Sequence, residues 1–253
     1  MNDSSWKNNQ ESRQVSLCGQ LGLEFILRGH HAFVIFPPQP SGVAAQPWVW
    51  YAPTLPGLPT VEEEGMVEKF LDAGIAIAGI DVGESYGSPG GRDLFSELYE
   101  ELVNQRGFSK KPALLARSRG GLMLYNWAVE NPNSVGCIAG IYPVCNLRSY
   151  PGLAKACGAY AMGEAKLAAT LSEHNPIERL APLARAGVPL FHLHGDNDEV
   201  VPLSENSAIL AEAYRKHGGD IELLVLAGQG HNRDAVWFNS SALIEFVITH
   251  AKA

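Results

Sequence analysis

The sequence predicts an α/β fold, a mostly parallel sheet with helices on both faces in a single domain. Three observations carry this. From residue 61 onward, segments of strand and helix pattern alternate, which is how a parallel sheet with crossover helices is written. The run 75–81 is apolar at nearly every position, the mark of a strand covered on both faces. Residues 111–130 read as strand, sharp turn and helix, with Ser118 at the turn and Gly120 and Gly121 just behind it. A chain of 253 residues that is 46% hydrophobic and 18% charged has the apolar material for one such core.

The elements follow in order. Residues 1–14 are polar, without the apolar stretch of a secretory signal, and are expected to form a flexible tail before a domain spanning 15–253. Residues 23–27 and 32–36 flank Arg28-Gly29-His30-His31, a hairpin signal. Residues 37–42, rich in proline, are a loop, and 48–51 (Trp-Val-Trp-Tyr) a strand ended by Pro53, Pro56 and Pro59. Helices are expected at 61–73, 93–106, 120–130, 203–217 and 234–250, and strands at 75–81, 113–116, 135–142, 188–194 and 221–226. Residues 144–187 break the rhythm. They hold short helical pieces and no strand, and are expected to form a cap-like helical insertion over the carboxyl edge of the sheet. Active sites of open α/β sheets lie at that edge, so the insertion either shapes substrate access or simply packs there.

Charge and cysteine content narrow the function. A formal net charge of -8 argues against nucleic acid and against an anionic membrane surface as partners. No apolar run reaches the ~18 residues of a membrane span. Cys18, Cys137, Cys145 and Cys157 show no Cys-x-x-Cys spacing and no neighbouring histidine pair, so a metal site is not expected. They fit free thiols of a reducing, cytoplasmic compartment. The expected partner is a small molecule, and no cofactor is expected. The oligomeric state stays open.

Two serines compete as nucleophile. Gly83-Glu84-Ser85-Tyr86-Gly87 matches Gly-x-Ser-x-Gly fully, whereas Ser118 sits in Ala116-x-Ser118-x-Gly120, one residue off the pattern. A nucleophile at such an elbow needs a helix starting beside it, because that helix supplies an N–H to the developing oxyanion. After Ser118 a helix begins within two residues. After Ser85 come Gly87, Ser88, Pro89, Gly90 and Gly91, where no helix is expected to begin. Ser118 is therefore the predicted nucleophile. The 83–91 loop still lies at the carboxyl edge, so Glu84, Ser85 or Tyr86 could touch substrate.

Serine needs a base, and histidine fits because its pKa lies near working pH. Of the eight histidines, His231 follows a glycine-rich loop after the last strand and can reach over the sheet edge. His194 ends a strand and is read as support for the acid loop, while His174 and His217 look like surface positions. A carboxylate must hold the base's tautomer. Asp196 and Asp198 both follow the strand ending at His194. Asp198, just ahead of Val200-Val201-Pro202, has the better offset, and Asp196 suits turn capping.

These residues resemble the α/β-hydrolase superfamily along about residues 15–250. The order Ser118, Asp198, His231 matches it, as does the His-Gly-x-x-Asp-x-x-Val-Pro segment. The Ser118-Arg119-Gly120-Gly121 elbow and Gly228-x-Gly230-His231 are most similar to its serine esterase and prolyl-oligopeptidase-like branch. The resemblance implies an eight-stranded, mostly parallel sheet. The oxyanion hole would take the Arg119 backbone N–H and, since Pro53 has none, that of Thr54 or Leu55, or else the Tyr51 hydroxyl. Tyr51, Glu84 and Tyr86 are the substrate-binding candidates. The Arg119 side chain would either meet an acidic substrate or pair with Glu84 or Asp81. The implied activity is cofactor-free hydrolysis of a carboxylic ester of a small acyl group, an acetylated carbohydrate being one option. The alternatives are a prolyl-oligopeptidase-like peptidase, or a non-catalytic binding protein on the same fold.

Overall fold

The computed structural model describes residues 12–39 and 44–252. Nine strands form one mixed sheet in the order β1-β2-β3-β5-β4-β6-β7-β8-β9. They are β1 (Arg13–Leu17), β2 (Gln20–Leu27), β3 (His30–Ile35), β4 (Trp48–Ala52), β5 (Ala76–Ile80), β6 (Ala113–Arg117), β7 (Cys137–Ile141), β8 (Leu190–Gly195) and β9 (Ile221–Leu226). From β5 to β9 all neighbours are parallel, while β1, β2 and β3 add an antiparallel flank. The sheet thus has nine strands rather than the eight the resemblance implies. The extra one is β1, which begins at Arg13 inside the stretch read as a tail. Residues 1–11 of that stretch, and 40–42 of the proline-rich loop, lie outside the described residues. β1 escaped sequence reading because it pairs only with β2, at the sheet edge, and buries little of itself. The hairpin turn is tighter than expected. Arg28 and Gly29 both take positive φ (50° and 83°), the geometry of a two-residue turn.

Helices cover both faces. On one lie α1 (Glu64–Asp72), α8 (Ala235–Phe238) and α9 (Ser241–Ala251). Met66, Phe70, Trp237 and Val247 from these pack on Val49, Leu115 and Ile141 of the sheet. On the other lie α2 (Pro89–Glu100), α3 (Gly120–Glu130), α6 (Ala181–Arg185) and α7 (Ser207–Lys216). There Phe95, Trp127, Leu183 and Tyr214 pack with Trp48, Trp50 and Leu114. Neighbours in sequence therefore serve opposite cores, as the two-residue period of a strand demands. The expected 234–250 helix is broken at Asn239, because Ser240 caps a fresh start by accepting from the Leu243 N–H at 3.4 Å.

The 144–187 segment holds α4 (Leu153–Ala156), α5 (Glu164–Ala169) and α6, joined by short 3₁₀ turns. Leu147, Leu153, Tyr160, Leu167 and Leu171 form a small core of their own, seated on Tyr86, Leu122 and Val201. His174, read as a surface position, is buried here against the Tyr160 ring at 4.9 Å. Its polar sequence neighbours hid the insertion's private core.

Candidate active site

β6 lies between β4 and β7 in the parallel part of the sheet, and Ser118 is the first residue beyond its carboxyl end. Ser118 has φ of 50°, a left-handed conformation that L residues rarely adopt and that turns the chain sharply from strand to helix. α3 starts two residues later, with Arg119 at its N-cap. Both glycines of the elbow are required by close approach. A Cβ on Gly120 would sit 2.0 Å from the Ala52 carbonyl oxygen, and one on Gly121 would sit 2.3 Å from that of Val144. The helix end is wedged between the segments that follow β4 and β7.

Ser118 Oγ lies 2.9 Å from His231 Nε2, and His231 Nδ1 lies 2.8 Å from Asp198 Oδ2. With Nδ1 facing a carboxylate, the imidazole carries its proton there and offers the Nε2 lone pair to the serine hydroxyl. The acid and histidine loops are stitched to each other. Asn197 N–H donates to the Gln229 carbonyl at 3.0 Å, and a Cβ on Gly195 would meet that oxygen at 2.0 Å. This explains the glycine after His194. Asp196 accepts from the Gly228 N–H at 2.6 Å, holding the histidine loop as a turn cap does, while Asp198 makes the contact to His231.

Asp198 is buried, which pushes its carboxyl pKa up. The close approach of His194 and hydrogen bonds from His231 and the Val201 N–H outweigh that and hold it well below the usual carboxylate range. His194, fully buried, donates from Nε2 to the Val201 carbonyl at 2.8 Å and has Asp198 Oδ2 at 3.6 Å. Its Nδ1 must then accept, taking the Ser207 hydroxyl at 2.7 Å. Ser207 in turn accepts from His192 Nδ1 at 2.9 Å, and His192 Nε2 accepts from the Tyr125 hydroxyl at 2.7 Å. This one-way chain satisfies every member with both histidines neutral. Burial first, and neighbouring His194 second, push His192 down to about 3. His194 supports the acid loop as expected. The His192–Ser207–Tyr125 extension was invisible in sequence because its members lie on three separated elements.

A cleft of about 200 Å³ opens over Ser118. Its walls come from Pro53, Leu58, Tyr142 and the 117–119 and 231–233 segments, and none from the 144–187 insertion. Tyr142 and Asn232 were missed in sequence. The Tyr142 ring lies 4.3 Å from that of His231, and its hydroxyl donates to the Asn232 carbonyl at 3.1 Å. Together they brace the His231 ring. Arg117, read only as part of the strand–turn junction, is a buried cation. It lies 3.0 Å from Glu63 and over the Phe238 ring, on the α1 and α8 side.

Several expected site residues stand elsewhere. Tyr51 is neither an oxyanion donor nor a substrate contact. It is buried, on the α1 face of β4, and its hydroxyl donates to Glu63 at 2.5 Å. Tyr86 is buried under the insertion. Glu84 does not line the cleft either. It lies 2.9 Å from Arg119 Nε, off the hydrogen-bond line, so the fold-internal pairing expected for Arg119 is present as an ion pair. Thr54 lines a separate cavity of about 410 Å³ between the β1–β3 flank and the 54–59 loop, bridged to Asp81. Only Leu58 lines both spaces. Contrary to expectation, a helix does begin in the 83–91 loop, at Pro89, with Ser88 as its cap. It starts four residues beyond Ser85, too far to serve that serine. Ser85 Oγ is buried, with no hydrogen-bond partner.

A family model, the prolyl oligopeptidase family, matches residues 95–247, which contain Ser118, Asp198 and His231. The chain belongs to the prolyl oligopeptidase family. At the level of family it thus falls among the serine hydrolases. An S-formylglutathione hydrolase from Agrobacterium tumefaciens superposes with a TM-score of 0.73 at 16% identity, covering 96% of this chain and 99% of that one. A carboxylesterase from Lactobacillus plantarum gives 0.63 at 16% identity, over 88% of this chain and 84% of the other. A puromycin-hydrolysing peptidase from Mycobacterium tuberculosis gives 0.66 at 17% identity, over 95% of this chain and 40% of that one. At these identities the likeness is one of fold, the α/β-hydrolase fold. The chain spans about 40% of the length of the puromycin-hydrolysing peptidase.

Proposed function

We propose that this family member hydrolyses a carboxylic ester of a short acyl group through an acyl-enzyme, with Ser118, His231 and Asp198 as nucleophile, base and acid. The observation that carries it is the unbroken contact chain Oγ–Nε2, Nδ1–Oδ2. Ser118 Oγ attacks the acyl carbon as its proton passes to His231 Nε2, and Asp198 steadies the imidazolium. The oxyanion is met by the Arg119 backbone N–H at the start of α3. Collapse expels the alcohol, which takes the proton from His231. Water then repeats the cycle on the acyl-serine and leaves a carboxylic acid.

The size of the cleft supports a small acyl group. At about 200 Å³ it is smaller than the ~300–1,000 Å³ of typical ligand pockets. The insertion, expected to cover the site and limit substrate size, does not line this cleft, and the restriction falls to Leu58 and Pro53. Family membership favours a second reading, a peptidase. The small cleft over Ser118 supports the ester reading. Hydrolysis of p-nitrophenyl acetate, butyrate, octanoate and palmitate, beside a proline-containing dipeptide anilide, separates the two. We expect kcat/KM to fall steeply beyond butyrate and the anilide to survive. A maximum at octanoate would discard the short-acyl reading, and anilide cleavage without esterase activity would move the chain to the peptidases.

A further inference from the structure

The charge around Ser118 runs against that of the molecule. The chain carries a formal net charge of -8. Yet the charged side chains lining the cleft are Arg117, Arg119 and Arg233, with no Asp or Glu among its described walls. The three are not equivalent. Arg117 is buried and neutralised by Glu63 at 3.0 Å. Arg119 lies beside Glu84, but its Nε is buried and makes no hydrogen bond. Arg233, two residues past the base, is 61% exposed, with Glu62 no nearer than 3.9 Å. Arg119 is thus turned to Glu84, and the one exposed guanidinium of the three, that of Arg233, borders a polar space of about 200 Å³ that also holds Ser118. Guanidinium is a planar fork suited to carboxylate, and such charge-assisted pairs are stronger than neutral hydrogen bonds.

The geometry points to a substrate that carries a carboxylate close to its scissile ester, bound by Arg233. Arg233 is then a specificity-determining residue. This rests on the ester-hydrolase reading above. The carboxylate can belong to the acyl part or to the alcohol part, and both bring the same charge to the same wall. The small cleft requires it to lie only a few bonds from the carbonyl.

Two matched pairs test this. Monomethyl glutarate against methyl valerate puts the charge in the acyl part, and 4-acetoxybenzoate against 4-acetoxybenzamide puts it in the leaving group. At least one anion should be preferred about tenfold or more in kcat/KM, chiefly through KM, and the preferred pair identifies the side. Raising NaCl from about 0.05 to 0.5 M should erode the preference. In Arg233→Gln the anion-to-neutral ratio should fall about tenfold, Arg233→Lys should keep most of it, and removing an arginine outside the cleft, Arg185→Gln, should not move it. Equal or inverse preference in both pairs, or a ratio indifferent to Arg233→Gln, overturns the proposal. If no ester of either pair turns over, the ester reading fails by itself. The anion site is then judged by titrating Ser118→Ala with monomethyl glutarate and methyl valerate. Tighter binding of the anion by about tenfold keeps the site, and equal binding removes it.

Discussion

Two serines of this chain, Ser85 and Ser118, each follow a parallel strand at the carboxyl edge and precede a glycine and a helix, yet only Ser118 meets a histidine. Ser85 has the complete Gly-x-Ser-x-Gly text. Its flanking Gly87 is there because a Cβ would meet the Leu122 carbonyl oxygen at 2.2 Å, where the loop presses on α3. Gly91, a little further on, makes room for the Ser85 side chain itself, 2.6 Å from where its Cβ would be. Those glycines record packing. At Ser118 the strain falls on the serine, with φ of 50°, and the helix opens beside it. The comparison teaches that a nucleophile elbow is defined by where the helix starts and which residue bears the left-handed turn, more than by the spacing of glycines.

The largest way to break this comparison is to exchange the two serines' fates. Ser118→Ala should lower esterase kcat by about 10⁴- to 10⁶-fold, and Ser85→Ala should leave most of it. The reverse ranking in a p-nitrophenyl acetate assay would return the nucleophile to the 83–87 loop. Next comes the partner that only Ser118 has. Asp198→Asn should cost about 10⁴ in kcat by disturbing the His231 tautomer, whereas Asp196→Asn, which loosens a cap on the Gly228 loop, should cost far less. Comparable losses would mean that loop position, not the carboxylate, limits the rate.

Smaller effects test the glycines. Gly120→Ala and Gly87→Ala should each destabilise the fold by about 2–3 kcal/mol, since neither Cβ can be housed. Gly90→Ala has open space and should shift stability by less than ~1 kcal/mol. Denaturant midpoints of the three variants decide it, and a tolerated Gly120→Ala would contradict the wedged elbow. The Ser118 side also rests on the buried histidine chain, which the Ser85 side lacks. His192 is pushed down to about 3 in the fold, so between that value and its ordinary 6.5 the unfolded chain binds a proton that the folded one refuses. Stability should therefore fall as pH drops through this window, by about 2 kcal/mol from pH 7 to pH 5. Asp198, held low, loses its contribution only below the ordinary carboxylate range and does not confuse this interval. Guanidinium melts of wild type and His192→Gln should show the slope shrinking in the variant, and an unchanged slope would place the proton elsewhere.

The alternation of strand and helix, and the grouping of Ser118, His231 and Asp198, with Asp198 and not Asp196 facing the histidine, were legible in the sequence, because each depends on local signals: period, turn residues, and offset from a strand end. What the sequence could not decide are the contacts between distant segments. Tyr51 looked like an edge residue and is a core donor to Glu63. Arg117, given no role by the sequence pattern, makes a buried ion pair with Glu63 over Phe238. His174 looked exposed and Tyr86 looked like a substrate contact, and both are covered by the core of the 144–187 segment. In each case the outcome turns on which face of an element meets which neighbour. The register of the parallel strands and the seating of helices α1, α3 and α9 set that, through close packing and the need to satisfy every buried polar group.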